Sequence, residues 1–150
     1  MSLHRSACLA LVGLIAIPVL PSGVAPGGRR LVAELTGAAE APGPGDPDGS
    51  GTAVVRVNPG LATVCWELTV TDVDNVVAAH IHVAPVGEPG PVVVPLSAPV
   101  SGSSAGCAEV DGDLAHALVQ SPSDDYVNVH SAEFPGGAVR GQLAPPDDDE

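Results

Sequence analysis

The side chains best suited to chemistry in this chain are histidines, and three of them are spaced for it. His80 and His82 flank Ile81, and His130 closes the later run Tyr126-Val127-Asn128-Val129-His130. Side chains of an extended chain alternate between two faces. His80 and His82 therefore leave one face, and Ala79, Ile81 and Val83 the other. Tyr126, Asn128 and His130 share a face opposite Val127 and Val129. If the two strands lie near each other, three imidazoles converge on one polar spot. Three nitrogen ligands at about 2.0–2.1 Å, with one position left open for water, make a copper or zinc site. Only neutral imidazole binds, so loading is expected to fail well below about pH 6.5. The plainer alternative is three hydrogen-bonded structural histidines, and the residues leave both readings open. Tyr126 and Asn128 read as polar support on the His130 face. Arg140 reads either as the partner of a carboxylate such as Glu133 or Glu67, or as an anion site beside the histidines. No nucleophile–base pair is visible in the sequence, and a catalytic set is not expected.

The elements that must position these groups fit in one domain. The chain has 150 residues, with 18 Gly and 16 Pro, and only 2% aromatic residues against 45% hydrophobic. Its core must come from Val, Leu, Ile and Ala, in short strands joined by many turns. There is no Lys, and the formal net charge is -13. Such a surface repels nucleic acid and attracts cations, so no nucleic-acid partner is expected.

Residues 1–25 resemble a secretory signal. His4 and Arg5 precede an apolar run from Leu9 to Leu20, which is too short to span a bilayer, and Ser22-Gly23-Val24-Ala25 offers small residues for cleavage. The expected location is secreted or in the cell envelope, with no membrane span after cleavage. Beyond that segment two cysteines remain, Cys65 and Cys107. An even count in an exported chain predicts one disulfide.

Strand signals follow at turn-punctuated intervals: 30–36, 52–58, 61–71, 76–83, 91–96, 125–131 and 138–143. Asn58-Pro59-Gly60 makes a hairpin of the second and third. In the third, Val64, Trp66, Leu68 and Val70 share the core face. Residues 97–106 read as a loop of small residues leading to Cys107. The one helix is expected over 111–120, capped by Asp113. Asp46, Asp48, Asp72, Asp74, Asp111, Asp113, Asp124 and Asp125 read as solvated loop acids. His116 reads as exposed, and residues 145–150 as a disordered acidic tail. The fold class is all-β, a Greek-key sandwich or barrel of about eight short antiparallel strands with one short helix.

Five stretches in order resemble the CHRD domain, a module named after chordin. They are Leu35 to Pro42, Ala79 to His82, Gly87 to Leu96, Tyr126 to Ser131, and Phe134 to Leu143. The resemblance covers about residues 30–144. It implies an extracytoplasmic all-β domain. Together with the signal-like segment and the lack of a catalytic set, the expectation is a non-enzymatic binding or structural module with an extracytoplasmic protein partner. The three histidines favour the alternative, a copper- or zinc-binding protein, with superoxide-dismutase-like redox chemistry as one form of it. A second likeness concerns the site alone. The order His-x-His, Val-x-His, then a Gly-rich turn with Arg is similar to copper/zinc superoxide dismutase. That likeness puts His80, His82 and His130 on copper ligands and Arg140 on the arginine that guides the anionic substrate. The chain departs from it at Val92, where the dismutase has its bridging histidine, and in lacking counterparts to the zinc ligands.

Overall fold

In the computed structural model, residues 27–147 are described; the proposed signal at 1–25 and the last three residues of the acidic tail lie outside them. Eight strands form one antiparallel sheet: β1 (Arg29–Thr36), β2 (Ser50–Asn58), β3 (Thr63–Thr71), β4 (Val76–Val83), β5 (Val92–Leu96), β6 (Ser103–Glu109), β7 (Asp125–Ser131) and β8 (Val139–Gln142). Their order across the sheet is β5-β4-β7-β8-β1-β2-β3-β6.

That order forces the sheet to roll up. Laid flat, its edge strands β5 and β6 would sit seven strand spacings apart, about 34 Å. The chain from Leu96 to Ser103 can reach only about 25 Å. The roll brings the two edges together at that point, where the Ser104 hydroxyl donates to the Ser97 carbonyl at 2.6 Å. The result is a nearly closed barrel. The chain passes between its two halves at β3 to β4, β5 to β6 and β6 to β7, which is the Greek-key pattern expected from the strand count.

Alternation decides which residues fill the barrel. Leu31 and Leu35, Val55 and Val57, Val64 and Leu68, Ile81, Val94, Val127, Val129 and Val139 are all buried on the inner face. Trp66 joins them, as the period-two reading of β3 requires. The helix α1 (Gly112–Gln120) packs against β2 and contributes Ala115 and Leu118. Asp111, not Asp113, caps it: the Asp111 carboxylate accepts from the Asp113 N–H at 2.8 Å. An N-cap side chain reaches forward to the first orphan donors, so the acid before the first turn is the one placed to serve.

One strand departs from the sequence reading. Residues 103–109 form β6 and pair with Thr63–Thr69 of β3, so 103–106 are strand and not loop. Ser, Gly and Ala carry little strand signal of their own. Their small size is instead complementary to the partner: a Cβ on Gly106 would sit 2.6 Å from the Trp66 ring. Glycine there lets the indole lie across the edge strand. The pairing also sets Cys65 directly opposite Cys107, and the two are disulfide-bonded.

Two of the acids expected in solvent are buried. The Asp46 carboxylate accepts from the Gly49 N–H at 3.3 Å, closing the long loop before β2. Asp125 opens β7 at 4% exposure, and burial, with Asp124 beside it, raises its pKa to about 6. No helix among the described residues is long and apolar enough to cross a membrane.

Candidate metal centre

The outer face of β4, β7 and β8 is where the polar residues gather. Register sets them in rows: His80 opposite Asn128 opposite Arg140, and His82 opposite Tyr126 opposite Gln142. Ala78 faces His130 across the β4–β7 pair, which puts His130 diagonally beside His80. A surface sheet face is normally solvated, but β7 is buried on both faces along nearly its full length. Loops fold over it: residues 84–91 from one side, 40–46 and 134–137 from the other.

The three histidines converge. Ring centroids are 5.1 Å apart for His80 and His130, 5.4 Å for His80 and His82, and 6.0 Å for His82 and His130. One ring nitrogen of each lies within 4.8 Å of the others, and this is the one such group of metal-binding residue types among the described residues. The outer nitrogens are fixed by carbonyls. His82 Nδ1 meets the Gly90 carbonyl at 2.9 Å and His130 Nδ1 meets the Pro135 carbonyl at 3.0 Å. A carbonyl can only accept, so in each ring Nδ1 carries the hydrogen and Nε2 keeps its lone pair. Those two Nε2 atoms, together with His80 Nδ1, are buried and have no hydrogen-bond partner. Backbone carbonyls that orient the far nitrogen of a ligating histidine are the usual support of metal sites.

The electrostatics suit the same role. Burial is the main cause that lowers the pKa of His80, followed by the nearness of His130 and His82. Burial also lowers that of His82, partly opposed by its bond to Gly90, with His130 and Arg140 pushing the same way as burial. These rings stay neutral below the ordinary imidazole range, which is the form a metal takes. Tetrahedral ligands about 2.0–2.1 Å from one ion stand about 3.3–3.4 Å apart. Rings whose nitrogens now span up to 4.8 Å need to close by up to about 1.4 Å.

Arg140 donates to backbone carbonyls and not to Glu133 or Glu67. It is 1% exposed. Its Nη1 donates to the Glu88 carbonyl at 2.7 Å and its Nη2 to the Pro85 carbonyl at 2.9 Å. Its Cζ lies 3.5 Å from the centroid of the Tyr126 ring, and the His82 ring stacks on the same tyrosine at 4.8 Å with planes 7° apart. Because β7 runs between β4 and β8, Tyr126 is held between an imidazole and a guanidinium. Glu133 and Glu67 are exposed and form no ion pair with it. The reason is topological: β8 lies under the 84–91 loop, whose carbonyls reach the guanidinium first. Gln142 and Tyr126 complete the clamp. Gln142 Nε2 donates to the carbonyls of Ala84 at 2.7 Å and Ser123 at 2.8 Å, and the Tyr126 hydroxyl accepts from the Gly90 N–H at 3.1 Å. The loop that fixes His82 through Gly90 is thus itself fixed by Arg140, Gln142 and Tyr126.

Sequence reasoning missed Glu40 and Gln142. Glu40 follows a 3-10 turn at Gly37–Ala39 and accepts from Asn128 Nδ2 with both carboxylate oxygens, at 2.8 and 3.0 Å. Burial raises its pKa to about 7, against the lowering effects of Asn128 and Arg140. A single acid in a Gly- and Pro-rich stretch has no spacing that announces such a role. Gln142 lies two residues after Arg140 and on its face, so alternation was a signal that could have found it. Beside the cluster, Glu40, Pro42, Pro44, Phe134 and Pro135 line a cleft of about 250 Å³.

A rolled Greek-key barrel with a loop-covered histidine face defines a small all-β module built to present a polar site. The chain belongs to the CHRD-domain family, whose model matches residues 31–143. No curated protein and no solved structure matches it.

Proposed function

We propose that this CHRD-domain protein acts outside the cytoplasm as a non-enzymatic binding module whose ligand is a copper or zinc ion held by His80, His82 and His130. The observation that carries the reading is the set of three buried, unpartnered ring nitrogens, two of them with tautomers fixed by backbone carbonyls. Leaving several buried acceptors empty costs about 1–3 kcal/mol each, a cost that a bound cation relieves. An imidazole set with no thiolate suits copper or zinc, and an acidic chain surface gathers cations.

Binding is favoured over dismutase chemistry by Arg140. In the dismutase likeness this arginine would guide an anionic substrate, yet here its guanidinium is buried and committed to Glu88 and Pro85 carbonyls. The extracytoplasmic setting is supported by the signal-like segment at 1–25 and by a disulfide, which persists in oxidising compartments.

Elemental analysis of the purified full chain, loaded with copper or zinc and then desalted, tests the reading. About one equivalent is expected, falling below about a tenth when His80, His82 and His130 all become alanine. Less than that tenth in the native chain, or equal uptake by the triple variant, would discard the metal site. Export is checked separately, by finding in the extracytoplasmic fraction a mature protein that starts near residue 26.

A further inference from the structure

The histidine cluster has a neighbour of different chemistry. Asn128 stands on the same face, directly across from His80 and two residues before His130, and is 3% exposed. Its amide is pinned, because Nδ2 donates to both oxygens of Glu40. The amide is planar and its nitrogen and oxygen diverge, so holding the nitrogen on Glu40 decides where the oxygen goes. Glu40 lies toward β8: it senses the charge of Arg140, and its carboxylate fills the space that a Cβ on Gly137 would need. Gly137 also sits at φ +142°, a conformation other residues rarely adopt. Since β7 runs between β8 and β4, a nitrogen held on the β8 side leaves the amide oxygen the side of His80 and His82. There Oδ1 is buried and accepts nothing. One sheet face thus carries four buried polar atoms without partners: three ring nitrogens and one amide oxygen.

We propose that Asn128 Oδ1 is the oxygen member of this cation site and that Glu40 is the positioning residue that aims it. The inference rests on the three-histidine reading and narrows it. Three imidazoles and a neutral oxygen suit a divalent ion such as Cu(II) or Zn(II), whereas Cu(I) is selected by soft sulfur ligands. Glu40 acts through the amide: with both of its oxygens accepting from Nδ2, Asn128 is held in one orientation.

The full chain and its Asn128→Leu, Asn128→Asp and Glu40→Gln variants are titrated with Cu(II) and Co(II). Cu(II) electron paramagnetic resonance and the visible Co(II) spectrum are recorded, and thermal melts check the fold. Asn128→Leu is expected to weaken binding roughly 10- to 100-fold and to change both spectra. Gln at position 40 can donate as well as accept, which frees the Asn128 amide to flip. A smaller loss with the same spectral change is expected there. Asn128→Asp keeps the shape and an oxygen at the site but loses the donor to Glu40, so it is expected to keep binding with altered spectra. If Asn128→Leu melts without cooperativity, Asn128→Asp decides by the same spectra. Native affinity and native spectra in the folded position-128 variant, with binding lost in the triple histidine variant, overturn the role of Asn128 and leave the histidine site standing. A native chain that takes up neither ion removes both.

Discussion

The two halves of the barrel share an inner face and differ in the outer one. Around β2, β3 and β6 the outer face is open: Arg56, Glu67 and Cys107 are exposed, and the tie between strands is the Cys65–Cys107 disulfide. Around β4, β7 and β8 the outer face is covered, and the tie is a polar clamp in which Arg140, Gln142, Tyr126 and His82 hold the 84–91 loop. One half is stapled covalently in solvent, the other by buried hydrogen bonds. The contrast teaches where a site can be built. Convergent lone pairs survive only where loops keep water away, and the loops in turn need polar partners on the sheet.

The largest effect that would break this comparison comes from the staple. Replacing Cys65 and Cys107 by serine frees a loop whose ends are 42 residues apart and is expected to cost about 4 kcal/mol in the chain-entropy account. The urea midpoint reads this, and metal uptake should be unchanged, since the histidines lie on the other half. Lost uptake would show that the halves are not independent.

Next comes the clamp. Arg140→Leu leaves two carbonyls without their charged donor and is expected to destabilise the fold by about 2–4 kcal/mol. It should also weaken metal binding, because the carbonyl of Gly90 that orients His82 sits in the loop released. Arg56→Leu, on the exposed half, is the control, expected within about 0.5 kcal/mol of the native chain. Equal effects of the two substitutions would erase the distinction between covered and open faces.

The smallest effect is a pH dependence confined to the covered half. Glu40 titrates at about 7 when folded, against an ordinary value of 4.5, and Asp125 at about 6 against 3.8. The folded state therefore holds protons that the unfolded chain has released. Each acid's contribution to stability declines as pH rises from its ordinary value through its folded one. His80 and His82 work the other way: their lowered values make the folded state bind fewer protons, so their contribution improves as pH rises toward 6.5. Glu40→Gln removes one of these opposing trends. Its urea midpoint relative to the native chain should be higher at about pH 8 than at about pH 5. A difference independent of pH would mean that the Glu40 carboxyl is not held against its ionisation.

Much of this was legible in the residues because alternation is local. His80 with His82, and Asn128 with His130, share faces by the period of an extended chain alone. The same rule sent Trp66, Leu68 and Val127 inward. What stayed hidden depended on partners distant in sequence. Residues 103–106 looked like loop because Ser, Gly and Ala say little alone. They become strand when Gly106 meets the Trp66 ring. Arg140 looked like half of an ion pair because the carbonyls that receive it belong to another loop. Glu40 was invisible as a functional residue until the fold set it against Asn128, 88 positions away.

The sequence by itself determined the family, the all-β class and the faces of the side chains in β3, β4 and β7, since these follow from motifs and from a two-residue period. Only the tertiary structure decided that β7 lies between β4 and β8, that loops close over that face, and that ring nitrogens of three histidines come within 4.8 Å of one another. Strand neighbours and loop cover are set by the net free energy of packing the whole chain, and no short stretch of residues encodes it.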